Sequence, residues 1–420
     1  MTALFGKFST SDVYAEVIAP VISPEMNIPF VSELTIQAAY REMDHSVSGK
    51  DDVDSFSVVY RMNDSFGLRY NVQNTVRSPA IGEAFQPQYI YSYIVDDPCD
   101  RSNIDSGPAI ENRRANCAAQ GISQPFESLA ETASIFVYGG GNPNLTTEKS
   151  ESFNYGVLWT PNWVGVPFTK YGFDVPGTFR LALDYIEVEL TDAIIELDPD
   201  EVLSACYDAD PSSFPNTFCG QVTRDADNQM AGFVPGTIGV QGGTSNGSRY
   251  DYKGYILEVD YSLELAEYFS WGLGTLGVNV KGYRESEDAF QATAASPVVD
   301  TTGACTKPED RYLTTLSWAH DKWYTFVDAS YTDGGLTDFY WDKEIMEDKY
   351  INMDTGEVAP FTIDGYWSIN GGVVYSITDQ MTVQTYITNL TDEQCSGWVD
   401  CWRPGFRVPR TFRFGFRYQF

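Results

Sequence analysis

The sequence predicts an all-β protein, an antiparallel up-and-down transmembrane β-barrel. Three observations predict it. The first is the C-terminal stretch Val408–Phe420. Phe412, Phe414, Phe416, Tyr418 and Phe420 share one parity, and Thr411, Arg413, Gly415, Arg417 and Gln419 the other. Strand side chains alternate with period two, so this is a strand with one aromatic and one polar wall. At ~3.3 Å per residue and ~45° tilt, it spans roughly 30 Å, one bilayer core. Arginine on a lipid face at mid-membrane costs ~2–4 kcal/mol, so Arg413 and Arg417 belong to a wet interior. The second observation is that no apolar run reaches eighteen residues, while alternating segments recur throughout. The third is that short and long connections alternate from about residue 60 onward. An inner strand of a soluble β-sandwich would share the parity, but a sandwich does not sort its long loops to every second connection.

Thirteen strands follow in order: 12–19, 31–42, 53–62, 66–76, 150–160, 178–192, 250–263, 271–284, 310–319, 323–333, 361–377, 381–390 and 408–420. In the fourth, Phe66, Leu68, Tyr70 and Val72 oppose Gly67, Arg69, Asn71 and Gln73. In the sixth, the apolar parity switches from Phe179, Leu181, Leu183 and Tyr185 to Ile186, Val188 and Leu190, which predicts a β-bulge near Tyr185. The long connections, near 77–149, 193–249, 286–308, 334–359 and 391–407, are expected outside the cell. One holds a helical piece, with Asp198 as cap and Glu201 three residues on. Arg69, Asp184, Glu258, Asp260, Asp364, Arg413 and Arg417 are expected on the wet inner face.

The chain has 420 residues, 27 Tyr and 25 Phe, a composition that favours strands and interfacial aromatic girdles. A net charge of −32 argues against nucleic acid or anionic membrane surfaces as partners. Acidic runs such as Asp96-Asp97 and Asp208–Asp210 read as solvated outer surface. Seven cysteines form three close pairs in polar loops: Cys99 with Cys117, Cys206 with Cys219, and Cys395 with Cys401. These fit loop disulfides in an oxidising compartment and leave Cys305 over. No signal peptide opens the chain, which predicts that the beginning of an exported protein is missing.

The order of several motifs resembles the barrels of TonB-dependent receptors. Arg77, Pro79, Glu83 and Phe85 match an R-x-P-x-x-x-E-x-F stretch. Asn142, Pro143 and Leu145, followed by Glu148, match a G-N-P-x-L-x-x-E stretch. Pro176-Gly177-Thr178 through Asp192-Ala193-Ile194 is similar to the strand ending in "DAI", and Asn389-Leu390-Thr391-Asp392 looks like the N-L-x-D before the final loop. Phe420 fits the C-terminal aromatic read by the barrel-assembly machinery. The resemblance implies a 22-stranded barrel with a plug domain in its lumen. This chain departs from it, with about thirteen strands and no plug or TonB box. It is therefore expected to be the C-terminal portion, residues 1–420, of a longer receptor.

No catalytic constellation stands out: no G-x-S-x-G, P-loop or H-E-x-x-H occurs, and only His45 and His320 are present. No enzyme activity, cofactor or metal is expected. Asp96, Asp97 and Asp100, and Asp333 with Asp338 and Asp342, have the oxygen ligands of a Ca²⁺ site but read better as solvated loops. Phe339, Tyr340 and Trp341 are candidates for stacking on a sugar or siderophore ring, with interfacial anchoring at the outer girdle the alternative. The expected function is nutrient uptake at the bacterial outer membrane. Lipid, the assembly machinery, a siderophore or oligosaccharide-like ligand and the TonB complex (through the plug) are the expected partners. The alternative is a secreted all-β carbohydrate-binding or adhesion protein.

Overall fold

A computed structural model describes residues 4–106, 109–161, 164, 177–247, 249–268, 273–293, 296, 298–304, 307–336, 362–393 and 409–419. Thirteen strands form one sheet in strict sequence order. They are β1 (Thr10–Ile22), β2 (Glu33–His45), β3 (Gly49–Arg61), β4 (Phe66–Arg77), β5 (Glu148–Trp159), β6 (Thr178–Thr191) and β7 (Arg249–Glu264). Then come β8 (Thr275–Gln291), β9 (Asp310–His320), β10 (Trp323–Thr332), β11 (Tyr366–Thr378), β12 (Met381–Thr388) and β13 (Thr411–Tyr418). Each overlaps one span expected from alternation. Every neighbouring pair is antiparallel, and Val299–Asp300 adds a short strand to the end of β8. Among the described residues β1 and β13 are the two ends of the sheet and do not pair with each other.

The register explains the alternation. Across β4 to β7, Tyr70, Tyr155, Tyr185 and Tyr255 stand opposite one another on one face. The Tyr185 ring lies 5.2 Å from both the Tyr155 and the Tyr255 ring. The next rows are Leu68, Val157, Leu183 and Leu257, and then Phe66, Trp159, Leu181 and Val259. These side chains are turned outward; Leu68 is 40% and Leu183 42% exposed. An apolar face left open to this extent needs lipid, because water would charge it about 25 cal/mol for each Å². On β13, Phe414 is 78% exposed, and Arg413 and Arg417 stand on the opposite face, as parity requires.

No bulge interrupts β6, which pairs residue by residue with β7 from Thr178 to Thr191. The parity switch at Tyr185 has another cause. Two rows beyond the tyrosines, the outward face carries Asn74, Glu151, Glu189 and Asp251. The outer wall turns polar there because the strand leaves the apolar band. Meanwhile Ile186, Val188 and Leu190 continue the inward face. The register does shift nearby, at Ser286 of β8, opposite Lys253 and Gly254.

The inward face is polar through the middle of the sheet. Arg69 bridges to Asp184, with Nε to Oδ1 at 2.6 Å, and Arg180 reaches Asp260 at 3.1 Å. Asn279 donates to Asp260, and Thr315 to Asp328. Gly156 sits between Arg69 and Asp184 because a Cβ there would lie 1.9 Å from the Asp184 carboxylate. Glu258 shares this face, and Asp364 lies exposed just before β11.

Connections on one side run through residues 78–147, 192–248, 292–309, 333–365 and 389–410. On the other side several are tight, such as Asp321-Lys322, where Asp321 takes φ 49°, and 379–380. The alternation of lengths is imperfect: 160–177 on the tight side is as long as 292–309.

Candidate functional site

The two longest connections, 78–147 and 192–248, fold on each other into a headpiece with its own core. The first supplies α1 (Ile81–Phe85), the strand Tyr89–Tyr93, α2 (Ile110–Ala119) and the strand Ile135–Gly139. The second supplies the strand Ile194–Leu197, α3 (Pro199–Tyr207), and the short strands Val240–Gln241 and Gly243–Asn246. Ile135–Gly139 lies between the other two members of a three-stranded sheet, so strands from both connections share it. The core joins Val95, Ile135 and Val137 of the first connection to Val202, Leu203, Tyr207, Met230 and Val240 of the second, all fully buried.

α3 starts where its sequence says it should. Asp198 Oδ1 accepts from the Glu201 amide and Glu201 Oε2 accepts from the Asp198 amide, both at 2.9 Å, with Pro199 at the first helical position. Its apolar side enters the core, and Cys206 bonds to Cys219. Cys99 bonds to Cys117 of α2. Two of the three expected pairings are therefore present. Cys395, Cys401 and Cys305 lie outside the described residues, as do Phe339, Tyr340, Trp341 and Phe420.

The acidic runs are only partly the solvated surface that their composition predicts: Asp96 and Asp210 are exposed, but Asp97 and Asp208 are not. Asp97 is buried and holds both terminal nitrogens of Arg224 at 2.7 and 2.8 Å, while Arg224 Nε donates to the Tyr207 hydroxyl at 2.8 Å. Asp208 is buried against Arg113, with two contacts of 2.6 Å. Each pair ties one connection to the other. Both are bidentate, the geometry in which a guanidinium best offsets its desolvation. Asn116 of α2 donates to the Tyr207 and Ala209 carbonyls at the end of α3. Asp100 accepts from Ser102 and Ser128, so Asp97 and Asp100 are both engaged in the headpiece's own structure. Among the described residues no group of His, Cys, Asp and Glu is arranged to hold a metal.

Three headpiece carboxyls are held above their ordinary range. Burial, followed by the charges of Asp100, Asp96 and Asp97, pushes Glu131 up to about 7. Burial and neighbouring Asp198 and Asp96 push Asp200 up to about 6. Burial, then Asp198 and Asp200, bring Glu201 to about 7. All three sit among like charges.

The motif residues meet at the base of the headpiece. Arg77, the last residue of β4, donates to Glu83 of α1 at 3.0 Å and to Glu148 at the start of β5 at 2.5 Å. Glu83 also accepts the Ala80 amide, and Glu148 accepts the Ile194 amide. The Arg77 clamp holds the Glu83 carboxyl below its usual range against the opposing effect of burial. The Asn142 amide donates to the Glu83 carbonyl, and Gly141 is required because a Cβ would meet the Gln86 nitrogen at 2.6 Å. Pro79 and Leu145 are buried, whereas Pro143 is exposed. Phe85 packs close to Gly6. At the opposite end of the sheet, Asn389 turns the chain off β12 at φ 54°, its side chain bonding to Glu393, while the Leu390 amide returns to Ile369. Asn is among the few residues that tolerate this left-handed geometry.

Spacing alone did not expose Arg113, Asn116, Tyr207 and Arg224. The signals present in the sequence were the two cysteine pairs and the apolar side of the capped helix.

The family model for the TonB-dependent receptor-like β-barrel matches residues 6–390, and the chain belongs to that family. Its members are bacterial outer-membrane proteins, and this chain is one of them. No curated protein matches the sequence. Among solved structures, the siderophore receptor PirA of Acinetobacter baumannii superposes at TM-score 0.59 with 14% identity, over 98% of this chain and 46% of that one. A ferric enterobactin receptor (PfeA) mutant of Pseudomonas aeruginosa, in complex with enterobactin, superposes at 0.56 with 12% identity, over 98% and 45%. The chain thus spans a little under half the length of these structures, and the likeness is one of fold.

Proposed function

We propose that residues 1–420 form the C-terminal barrel part of a TonB-dependent receptor that captures a scarce nutrient outside the cell and admits it through the barrel. Binding and transport, without bond-making, are the chemistry of this reading. The headpiece and the other long connections, near 286–308, 334–359 and 391–407, face the exterior. The polar inward face, with Arg69, Asp184, Arg180 and Asp260, lines the passage. Energy reaches it from the TonB complex through a plug domain. The barrel-assembly machinery reads Phe420 and lipid covers the aromatic outer wall. The nutrient is a ferric siderophore, an oligosaccharide, a peptide or cobalamin; the siderophore receptors among the structural neighbours make a ferric siderophore the first ligand to try.

The observation that supports this best is the union of the two longest connections of one side into a disulfide-held headpiece on an otherwise lipid-facing sheet. The test is to express the gene in its natural context and fractionate the cells. The protein should be recovered from the outer membrane only with detergent. Because residues 78–147 and 192–248 contain no lysine, a membrane-impermeant amine-reactive biotin reagent should label the headpiece in whole cells once the exposed Ala226 is replaced, Ala226→Lys. Recovery without detergent sinks the membrane part of the reading, and labelling only after lysis sinks the sidedness. Uptake of labelled ferric siderophore that persists when the TonB system is disabled would remove the transport part.

A further inference from the structure

We propose that the open edge of the strand Tyr89–Tyr93 is a docking site for an extended peptide in which basic and apolar side chains alternate. The backbone geometry provides the first half of the site. This strand pairs only with Ile135–Gly139, so its other edge is unpaired among the described residues. Phe136 and Tyr138 bond away from it: the Phe136 amide donates to Gly232, its carbonyl accepts from Gly239, and the Tyr138 carbonyl accepts from Gly242. Their partners across the ladder, Ser92 and Ile90, therefore occupy non-hydrogen-bonded pairs, with N–H and C=O directed to the open side. An added strand would find two donors and two acceptors at two-residue spacing, the pattern of strand addition. The strand is short, but residues 89–93 contain none of the lysine, arginine or proline that commonly blocks such an edge.

The side chains provide the second half. On one face Ile90 and, just past the strand, Ile94 are 53% and 55% exposed, with Ser92 between them, so the face offers an apolar seat on either side of one small polar residue. On the other stand Tyr89, Tyr91 and Tyr93, with successive ring centroids 5.5 and 6.2 Å apart. Tyr89 donates to Glu196 and Tyr93 to Asp200, with Asp198 between these acids in sequence. Among the described residues no lysine or arginine pairs with Glu196, Asp198 or Asp200. Tyr91 and Tyr93 pack against the headpiece core, but the exposed Tyr89 ring and the carboxylates without a cationic partner together favour a cationic side chain. An acidic or wholly apolar peptide would waste one face or be repelled by it. The source of the peptide is exterior, which rests on the sidedness proposed above; the binding itself does not.

The experiment uses the full chain in detergent micelles and fluorescently labelled synthetic peptides read by anisotropy. An alternating Lys-Val peptide should bind. Its Glu-Val analogue, and a block isomer with all lysines first, should bind at least about tenfold more weakly. Adding the Lys-Val peptide should slow hydrogen exchange at the Ile90 and Ser92 amides and leave Tyr91, already bonded within the sheet, unchanged. Replacing Ile90 by proline removes one donor and should weaken binding about fivefold. Combining Glu196→Gln with Asp200→Asn should bring the Lys-Val and Glu-Val peptides toward equal affinity. Absence of Lys-Val binding, equal binding of the block isomer, or binding with no protection at Ile90 and Ser92 overturns the proposal. Failure of the sidedness reading shows separately, in the whole-cell labelling.

Discussion

The sheet and the headpiece bury opposite things. In the sheet, the largest apolar side chains are the exposed ones, with Phe414 at 78% and Phe416 at 62%, and the polar side chains face inward. In the headpiece, Val137, Val202, Leu203 and Tyr207 are fully buried, and the most deeply buried carboxylates beside them, Asp97 and Asp208, are paired with Arg224 and Arg113. One chain thus follows two partition rules, because two solvents surround it. Lipid rewards an apolar exterior, and only a sheet whose backbone groups are all paired can stand in it. Water rewards an apolar interior, and a small core of this kind gains from disulfides and well-made buried ion pairs. The boundary between the regimes lies on the strands themselves, between the tyrosine row at Tyr185 and the acidic row at Glu189.

The largest effect that would separate the two regions comes from Arg224→Ala. It leaves Asp97 buried without a partner and should cost the headpiece about 3–5 kcal/mol. Limited proteolysis should then cut residues 78–147 and 192–248 while the sheet keeps its heat-modifiable gel mobility; loss of both together would show that the regions fold as one unit. Next is Leu183→Arg, in the apolar band, which should cost ~2–4 kcal/mol of membrane stability. Glu151→Arg, in the acidic row opposite Glu189, should be nearly neutral. Equal effects in a liposome-folding titration would misplace the boundary.

The pH dependence follows from the three raised carboxyls. Unfolded, they titrate near 4; folded, Glu131 and Glu201 titrate near 7 and Asp200 near 6. Between those values the folded headpiece binds more protons than the unfolded chain, so their contribution to stability falls as pH rises from about 4 to about 7. Protection factors of the Val137 and Val202 amides should therefore be higher at pH 5 than at pH 8. Equal or greater protection at pH 8 would mean that these three carboxyls do not titrate above the unfolded range; a carboxyl held low, such as Asp100, changes its contribution only below about pH 5. The smallest effect is that of Asp198→Ala, which removes the α3 cap for about 1 kcal/mol. It should loosen the headpiece and leave the sheet's folding titration unmoved.

The staves were legible because each is decided by local rules. Parity alone placed Phe412 to Tyr418 outward and Arg413 and Arg417 inward, since neighbours two apart always share a face. The motif clamp was legible as residues but not as contacts: Arg77 meets Glu148 across seventy-one positions, and only the β4–β5 pairing makes them neighbours. The parity switch at Tyr185 was visible but misread. A bulge and an exit from lipid leave the same trace in one strand, and the rows on adjacent strands distinguish them. Half of the acidic runs was misread for a related reason: Asp96 and Asp210 are exposed, but composition counts Asp97 and Asp208 as solvated too until Arg224 and Arg113 are brought to them.

By itself, then, the sequence determined the membrane-facing wall, the order of the strands, two cysteine pairings and the cap of α3. All of these depend on residues near one another in the chain or on a pattern repeated along it. Tertiary structure alone decided that two connections become one headpiece, which acids are buried, and that Ile90 and Ser92 offer an open edge. Those outcomes depend on groups roughly a hundred positions apart meeting in a shared core, and no local period records such a meeting.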